Sequence, residues 1–286
     1  MEAASTRSRP YLSTLSNPRA IPARKTAPRG EIRPGASRSQ GSYNVGKEAK
    51  QSTERRQLFN RIAPVYDRLN DALSLGQHRD WKKWTVEWSG AQPGDNVLDV
   101  CCGSGDIAFL LAEAVGSNGK VTGLDFAAEM LDDASQRETE WRARDLRSKS
   151  EMSWVQGDAL KLPFGDGEFD AITMGYGLRN VVDIPLAMTE LHRVLRPGRR
   201  VAILDFNNSN DLVVDSFQGF MLENVVVPVA RMYNVQEEYE YLRPSIQRFP
   251  SGPQQEWLAQ RSGFDSARHH EIMGGLMGIL VAQKTK

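Results

Sequence analysis

The stretch "NVLDVCCGSGD", residues 96–106, decides the fold class of this chain. Its first five residues form a short apolar run that predicts a buried β-strand. Two cysteines and two glycines follow, and a predicted helix then begins near Asp106. A glycine-rich loop between a strand and a helix lets the backbone approach a ligand, while the helix presents free N–H groups to it. The stretch therefore predicts a ligand site at the end of a strand.

Cys101 and Cys102 are the only cysteines of the chain, and they are adjacent. Adjacent cysteines cannot form an ordinary disulfide framework, and neither has a CxxC partner or a second ligand pair at metal-binding spacing. We therefore reject a metal site and a redox pair as explanations of the loop. Cysteine serves there as a small, weakly polar residue, and a cradle for a cofactor remains.

Short β-rich runs alternate with longer helical stretches from residue 94 onward, which is typical of a doubly wound α/β sheet. Helices are predicted near Asp106, Ala127 and Asp183, and the last should end at Pro197 and Gly198. The final two strands are too close for a helical crossover and should pair antiparallel. The prediction is a mostly parallel seven-stranded sheet with the last strand antiparallel, built from "NVLDV", "KVTGLD", "SWVQGD", "FDAITM", "RRVAILDF", "DSARHHEI" and "GILVAQK".

Two helical segments accompany the predicted sheet. Residues 52–90 form an N-terminal cap in which Trp81, Trp84 and Trp88 recur at helical spacing, as expected of a stripe packed on the sheet. Residues 207–262 form a second helical insert before the final strands. Together the two segments are placed to roof a pocket at the carboxyl ends of the strands, where ligands of this architecture bind.

Charge is distributed unevenly along the chain. The net charge is zero, but residues 1–40 carry eight Lys or Arg and two acidic residues, which leaves 28 basic and 34 acidic residues in the remainder. A mildly acidic body argues against nucleic-acid binding, which needs clustered basic side chains. No run of about 18 apolar residues is present, so we expect no transmembrane helix.

The first 40 residues have the composition of a targeting segment. They are rich in Ser, Thr and Arg, poor in acids, and without hydrophobic periodicity. Five prolines interrupt any continuous amphipathic helix, which favours a chloroplast transit peptide over a mitochondrial one. An ordinary disordered tail is the remaining alternative. Residues 41–286 are then the folded domain.

Carboxylates follow successive strands in an order that suits an adenosine-containing cofactor. Asp125 ends the second strand, 22 residues after Gly103, where it can accept both hydroxyls of a ribose. Asp158 follows the third strand, where it can receive the exocyclic amine of an adenine. The candidate cofactor residues are Asp99, Gly103, Ser104, Gly105, Asp125, Phe126, Asp158, Ala159 and Gly175.

Two cofactors compete for this loop. Gly103, Gly105 and Ala108 satisfy the dinucleotide fingerprint G-x-G-x-x-G/A, and Asp125 suits the ribose of NAD equally well. Asp99 discriminates between them, because D-x-x-x-G-x-G is the S-adenosylmethionine pattern, in which the acid serves the amino-acid end. Asp99 and Asp106 would both repel a pyrophosphate. S-adenosylmethionine is therefore favoured, and NAD with an oxidoreductase function is the alternative.

The stretch "YDRLNDALSLGQHRDW", residues 66–81, resembles a family signature. The signature is Y-D-x-M-N-x-x-[LIVM]-S-x-x-x-H-x-x-W, of the ubiquinone and menaquinone biosynthesis C-methyltransferases, with Leu69 in the usual Met position. A second signature is matched more loosely by "RVLRPGRRVAILDFNNS", where four residues depart from it: Arg196, Arg199, Asp205 and Asn207. The resemblance implies the class I S-adenosylmethionine-dependent methyltransferase fold.

Four further stretches resemble the chloroplast branch, the demethylphylloquinone methyltransferases: "GLRN" (177–180), "ILDFN" (203–207), "ENVVVPVA" (223–230) and "EYEYL" (238–242). The resemblance runs from about residue 54 to the end. It implies C-methylation of a prenylated naphthoquinol in phylloquinone biosynthesis. A menaquinone or ubiquinone-precursor methyltransferase is the alternative within the family.

The implied reaction restricts the form of the substrate. A quinone ring is electron-poor and cannot attack a sulfonium, whereas a deprotonated quinol carries electron density on the adjacent carbon. Reduction must come first, so a separate quinone reductase is implied, and peripheral contact with a membrane is compatible with a prenylated substrate.

The candidate catalytic residues come from two of the matched stretches. Arg179 of "GLRN" should stabilise the developing phenolate, because a guanidinium stays protonated; a loop salt bridge is its alternative role. Asn180 can orient a water or hydroxyl. From the first signature, Tyr66 and His78 are candidates, and only His78 has an ordinary pKa suited to proton transfer near neutrality. Asp67 and Asn70 are equally suited to helix capping.

Overall fold

The computed structural model describes residues 76–144, 150–209, 211–232 and 242–286. The proposed transit peptide and the first part of the N-terminal cap, residues 52–75, lie outside these ranges. The helices are α1 (His78–Ser89), α2 (Asp106–Val115), α3 (Ala128–Arg144), α4 (Ile184–Val194), α5 (Leu212–Met221), α6 (Val227–Met232), α7 (Leu242–Arg248) and α8 (Gly252–Arg261). The strands are β1 (Asn96–Val100), β2 (Lys120–Asp125), β3 (Glu151–Gln156), β4 (Phe169–Gly175), β5 (Leu195–Phe206), β6 (Ser266–Ile272) and β7 (Met277–Gln283).

The seven strands form one sheet in the order β3-β2-β1-β4-β5-β7-β6. Strands β1 to β5 are parallel, and β7 pairs antiparallel with both β5 and β6. The predicted fold class and the antiparallel final pair are confirmed. The chain reverses direction across the sheet between β1 and β4, which places the carboxyl ends of these strands at the edge where such sheets bind ligands.

The end of α4 differs from its prediction. Its start is as expected, because Asp183 caps it by accepting from the Leu186 N–H at 2.9 Å. The helix ends at Val194, however, and the chain enters β5 at once, so Pro197 and Gly198 lie in an irregular part of the strand. Lys284 explains the early end, since its ammonium donates to the carbonyls of His192 (2.9 Å) and Leu195 (2.7 Å).

The tryptophan stripe of α1 packs on the sheet, as predicted. Trp81 and Trp88 are buried in a cluster with side chains of β5 and β7, including Leu204 and Ile279, and Trp84 packs partly buried at its edge. Burial of large aromatic surface is the main contribution that fastens this helix to the sheet. Most described residues of the 207–262 segment lie in helices. Nowhere in the described ranges is there a helix that is both long and apolar enough to cross a membrane.

Candidate active site

A cavity opens at the carboxyl ends of β1, β2 and β4, beside the cysteine and glycine loop. The loop needs left-handed backbone at Cys101 (φ 55°) and Gly103 (φ 53°) to leave β1 and enter α2. Eight of the nine candidate cofactor residues line the cavity, namely Asp99, Gly103, Ser104, Asp125, Phe126, Asp158, Ala159 and Gly175. The sequence therefore predicted the position of the cavity.

Gly105, the ninth candidate, faces away from the cavity. It precedes α2 with φ 91°, and a Cβ atom there would lie 2.8 Å from the ring of Trp154 and 3.1 Å from that of Phe109. Glycine at this position is therefore required by backbone conformation and by packing against two aromatic rings. The prediction that Gly105 lies beside a ligand gains no support from these contacts.

Asp125 ties the end of β2 to the loop. Its carboxylate accepts from the backbone N–H of Gly103 at 2.9 Å and from that of Ala127 at 3.0 Å. Burial raises the pKa of Asp125 above its ordinary value, and these hydrogen bonds oppose the rise. Each carboxylate oxygen can accept a second hydrogen bond, so the group is held in place with acceptor capacity toward the cavity.

Asp99 is a buried carboxyl of the site. It is buried in β1, and one oxygen accepts from the Thr173 hydroxyl at 2.7 Å. The other oxygen, Oδ2, has no hydrogen-bond partner among the described residues. Burial raises the pKa of Asp99 to about 7, and the nearby Asp125 adds to the rise. A buried oxygen without a donor is costly, so this atom fits a ligand that brings a donor or a positive charge.

Asp158 lies in the loop after β3. Its carboxylate accepts from the Leu160 N–H at 2.9 Å and so shapes its own turn, which is a common role for aspartate at a strand end. The residue also lines the cavity, so turn formation and contact with a ligand are compatible here.

Two residues that were not among the candidate cofactor residues also line the cavity. Lys82 of α1 and Asp106 at the start of α2 both line it, and they form a partly buried ion pair. On the other side of Asp106, Arg137 donates to its carboxylate at 2.5 Å. Burial alone would raise the pKa of Asp106, but these two cations lower it to about 2. The position of Asp106 directly after the loop was visible in the sequence, but its partners were not.

Arg179 and Asn180 follow β4 in a short 3₁₀ helix, Leu178–Asn180. A Cβ atom at Gly177 would lie 2.6 Å from that of Cys101, so this segment packs closely on the cysteine loop. Asn180 lines the cavity, and its amide donates to the Tyr176 carbonyl at 3.1 Å. The packing thus brings the "GLRN" segment to the predicted cofactor loop.

The Arg179 guanidinium forms a buried ion pair. Nη1 donates to Asp205 at 2.6 Å and to the Tyr176 carbonyl at 2.8 Å, and the Arg179 and Asp205 side chains are 8% and 3% exposed. A salt bridge was the alternative role expected of Arg179, and the structure forms one with both side chains buried. Asp205 also accepts from the Arg179 N–H at 3.1 Å, so one carboxylate positions both side chain and backbone. The guanidinium is not among the groups that line the cavity.

Two candidate catalytic residues remain, and the structure describes His78 alone. His78 is the first residue of α1, where it is buried and does not line the cavity. Tyr66, with Asp67 and Asn70, lies outside the described residues. Contact of any of these side chains with a substrate stays a prediction.

Proteins of similar sequence are known from a plant and from a cyanobacterium. An Arabidopsis thaliana protein named 2-phytyl-1,4-beta-naphthoquinone methyltransferase, chloroplastic, is 60% identical over 235 residues, which cover 82% of this chain and 89% of that protein. A Synechocystis protein named 2-phytyl-1,4-naphtoquinone methyltransferase is 55% identical over 80% of this chain and 94% of its own length.

Solved structures extend the comparison to the fold. A putative S-adenosylmethionine-dependent methyltransferase of Methanococcus maripaludis matches with a TM-score of 0.53 at 19% identity, over 88% of this chain and 98% of that one. A second, from Aquifex aeolicus, matches with a TM-score of 0.50 at 20% identity, over 70% and 88%. The predicted class I methyltransferase fold is confirmed. The sequence model of the ubiE/COQ5 methyltransferase family matches residues 46–284, and the chain belongs to that family.

Proposed function

We propose that this chain transfers a methyl group from S-adenosylmethionine to a ring carbon of 2-phytyl-1,4-naphthoquinol, the last methylation of phylloquinone biosynthesis. The observation that carries the proposal is the 60% identity, over 82% of the chain, to a relative named for that acceptor. Family membership favours methyl transfer over the NAD-dependent alternative. Demethylmenaquinone or a ubiquinone precursor is the alternative acceptor.

The residues around the cavity fit S-adenosylmethionine, which supplies an electrophilic methyl group on a sulfonium when bound. The free oxygen of Asp99 suits the ammonium of the amino-acid end, and Asp125 suits the ribose hydroxyls. Asp158 and Ala159 belong to the loop assigned to the adenine. Gly103 and Ser104 bring the backbone to the ligand, since no side chain larger than a hydroxymethyl group intervenes.

The chain's part in the reaction is to hold the quinol carbon in line and to stabilise charge as the hydroxyl loses its proton. Asn180 lines the cavity and is placed to orient that hydroxyl or a water. Arg179, one residue earlier, is paired with Asp205, and the pair holds the segment that carries Asn180. A guanidinium does not accept a proton at neutral pH, so Arg179 is not the base, and its part in the reaction is to position this segment.

Reduction of the quinone is assigned to a separate reductase. Burial, together with nearby carboxylates, raises the pKa of both Cys101 and Cys102 well above the ordinary value. Neutral thiols are poor nucleophiles and poor redox catalysts, so the two cysteines do not suit this step. Peripheral membrane contact by α5 is compatible with a prenylated acceptor, because Leu212, Val213, Phe217 and Phe220 expose apolar side chains on that helix.

The direct test is an assay of the purified chain with isotope-labelled S-adenosylmethionine. We expect label in 2-phytyl-1,4-naphthoquinone only when a chemical reductant is present, and slower transfer to demethylmenaquinone or a ubiquinone precursor. Faster transfer to either of these would reassign the acceptor. Binding of the methyl donor without transfer to any acceptor would instead indicate a non-catalytic partner protein.

Asp125→Ala is expected to weaken binding of S-adenosylhomocysteine about tenfold or more, because it removes a charged acceptor of the ribose and releases the Gly103 N–H. Thermal shift measures this, since a ligand of the native state raises its melting temperature. Asp133→Ala, a change on the exposed surface of α3, is the matched control. Stabilisation by NAD in place of S-adenosylhomocysteine would return the chain to the oxidoreductase class.

Residues 1–40, fused to a fluorescent reporter, are expected to direct it to chloroplasts. The Arabidopsis relative is named as chloroplastic, and the composition of this segment cannot supply a hydrophobic core. Removal of the segment should leave methyl transfer in vitro unchanged. Import of the fusion into mitochondria would contradict the chloroplast assignment.

A further inference from the structure

Lys82 occupies an unusual position for a lysine. Its side chain is 7% exposed, whereas that of Lys83, the next residue of α1, is 62% exposed. Lysine is seldom buried unless an anion pairs with it, and Asp106 provides that anion. The ammonium also lies on the wall of the cavity. A helix that otherwise packs on the sheet therefore delivers one charge to the site.

The charges around the cavity are strongly unequal. Four aspartates line it, Asp99, Asp106, Asp125 and Asp158, and Lys82 is the sole cationic side chain on this wall within the described ranges. Such a wall suits a ligand with a net positive charge. If that ligand also carries a carboxylate, Lys82 is the cationic side chain on the wall that can pair with it.

Lys82 retains capacity for such a ligand. An ammonium has three N–H donors, and among the described residues Asp106 is its hydrogen-bond acceptor. Asp106 is shared with Arg137, which also donates to the Ser104 carbonyl at 2.9 Å. One carboxylate is thus shared between two cations at the start of α2, where the helix dipole adds further positive potential. Lys82 therefore keeps N–H donors for an anionic group in the cavity.

We propose that Lys82 binds the carboxylate of the amino-acid end of the methyl donor, while Asp99 binds the ammonium of the same end. This inference rests on the proposed function. The two side chains come from different elements, α1 and β1, and they offer opposite charges to a zwitterion. The amino-acid end is therefore held partly by the N-terminal helical segment and not by the sheet and its loops alone.

The test compares two ligands of the full-length chain by isothermal titration calorimetry. S-adenosylhomocysteine has the amino-acid end, and 5′-methylthioadenosine lacks it. Lys82→Met should lower the affinity for S-adenosylhomocysteine about ten- to a hundredfold and leave that for 5′-methylthioadenosine within about twofold. Lys83→Met, which removes the same charge from the exposed face of α1, should change neither.

The possible outcomes separate failure of the proposed function from failure of the carboxylate subsite at Lys82. Absence of S-adenosylhomocysteine binding to the unmodified chain would overturn the proposed function itself. Equal weakening of both ligands by Lys82→Met would overturn the carboxylate subsite, because Lys82 would then act through Asp106 alone. An unchanged affinity for S-adenosylhomocysteine would overturn it as well.

A second measurement covers the case in which Lys82→Met does not fold. Lys82→Arg keeps the positive charge, so it should bind S-adenosylmethionine within about tenfold of the unmodified chain. In both proteins the decarboxylated form of S-adenosylmethionine should bind at least tenfold more weakly than the intact form. Equal affinity for the two forms would show that no cation meets the carboxylate, and the subsite would be wrong.

Discussion

Arg179→Ala is expected to lower turnover by about a hundredfold, because its ion pair with Asp205 positions the segment that carries Asn180, while leaving the affinity for S-adenosylhomocysteine nearly unchanged. The same change should lower the free energy of unfolding by about 3 kcal/mol, because Asp205 would remain buried without its cation. Steady-state kinetics at saturating quinol and denaturant unfolding measure the two effects separately.

Two further variants separate catalysis from stability. Arg179→Lys should recover most of the stability and only part of the turnover, since an ammonium cannot reproduce the planar guanidinium, whose central carbon lies 5.0 Å from the centre of the Phe206 ring. Arg196→Ala is the matched control. Arg196, at the start of β5, also pairs with a buried aspartate, Asp170. Arg199 donates to the same carboxylate, so Asp170 keeps a cation when Arg196 is removed. Near-normal turnover for Arg179→Ala would remove it from the mechanism and make His78 and Tyr66 the next candidates.

Asp99→Asn is expected to weaken S-adenosylhomocysteine binding about a hundredfold and yet to stabilise the free protein at pH 8 by about 2 kcal/mol. The loss follows because Asp99→Asn removes the carboxylate that we propose for the ammonium of the amino-acid end. The gain follows from burial, which raises the pKa of Asp99 from 3.8 to about 7, so that the folded chain bears the cost of an ionised buried carboxyl above pH 7.

The pH dependence of this gain has a definite sign. The folded state holds the Asp99 proton more tightly than the unfolded state, so the stability of the unmodified chain falls as pH rises from about 4 to about 7. The advantage of Asp99→Asn should therefore grow by about 2–3 kcal/mol between pH 5 and pH 8. Asp132→Asn, on the exposed surface of α3, is the control. An advantage independent of pH would contradict the raised pKa.

Local patterns were sufficient to predict most of the sheet. The bounds of β1 and β2 match their predicted runs residue for residue, because both are short runs with aliphatic residues and each follows a glycine-containing turn. The spacing of Asp99, Gly103 and Asp125 predicted three residues of the cavity wall for a related reason. In a parallel sheet the carboxyl ends of neighbouring strands lie at one edge, so residues that follow each strand must meet there.

Partners distant in sequence could not be predicted. The end of α4 depends on Lys284 near the C-terminus, and the burial of Lys82 depends on an aspartate in another helix. Arg179 shows the same limit, since its segment was recognised but its pairing with Asp205 was not.

The sequence by itself determined the succession of strands and helices along the chain. It also determined the edge of the sheet at which the candidate site lies, and the family to which the chain belongs. The tertiary structure alone decided which charges are buried together and which oxygen is left without a donor. The physical reason is that hydrophobic periodicity is set by neighbouring residues, whereas the cost of burying a charge depends on every group that surrounds it in the folded chain.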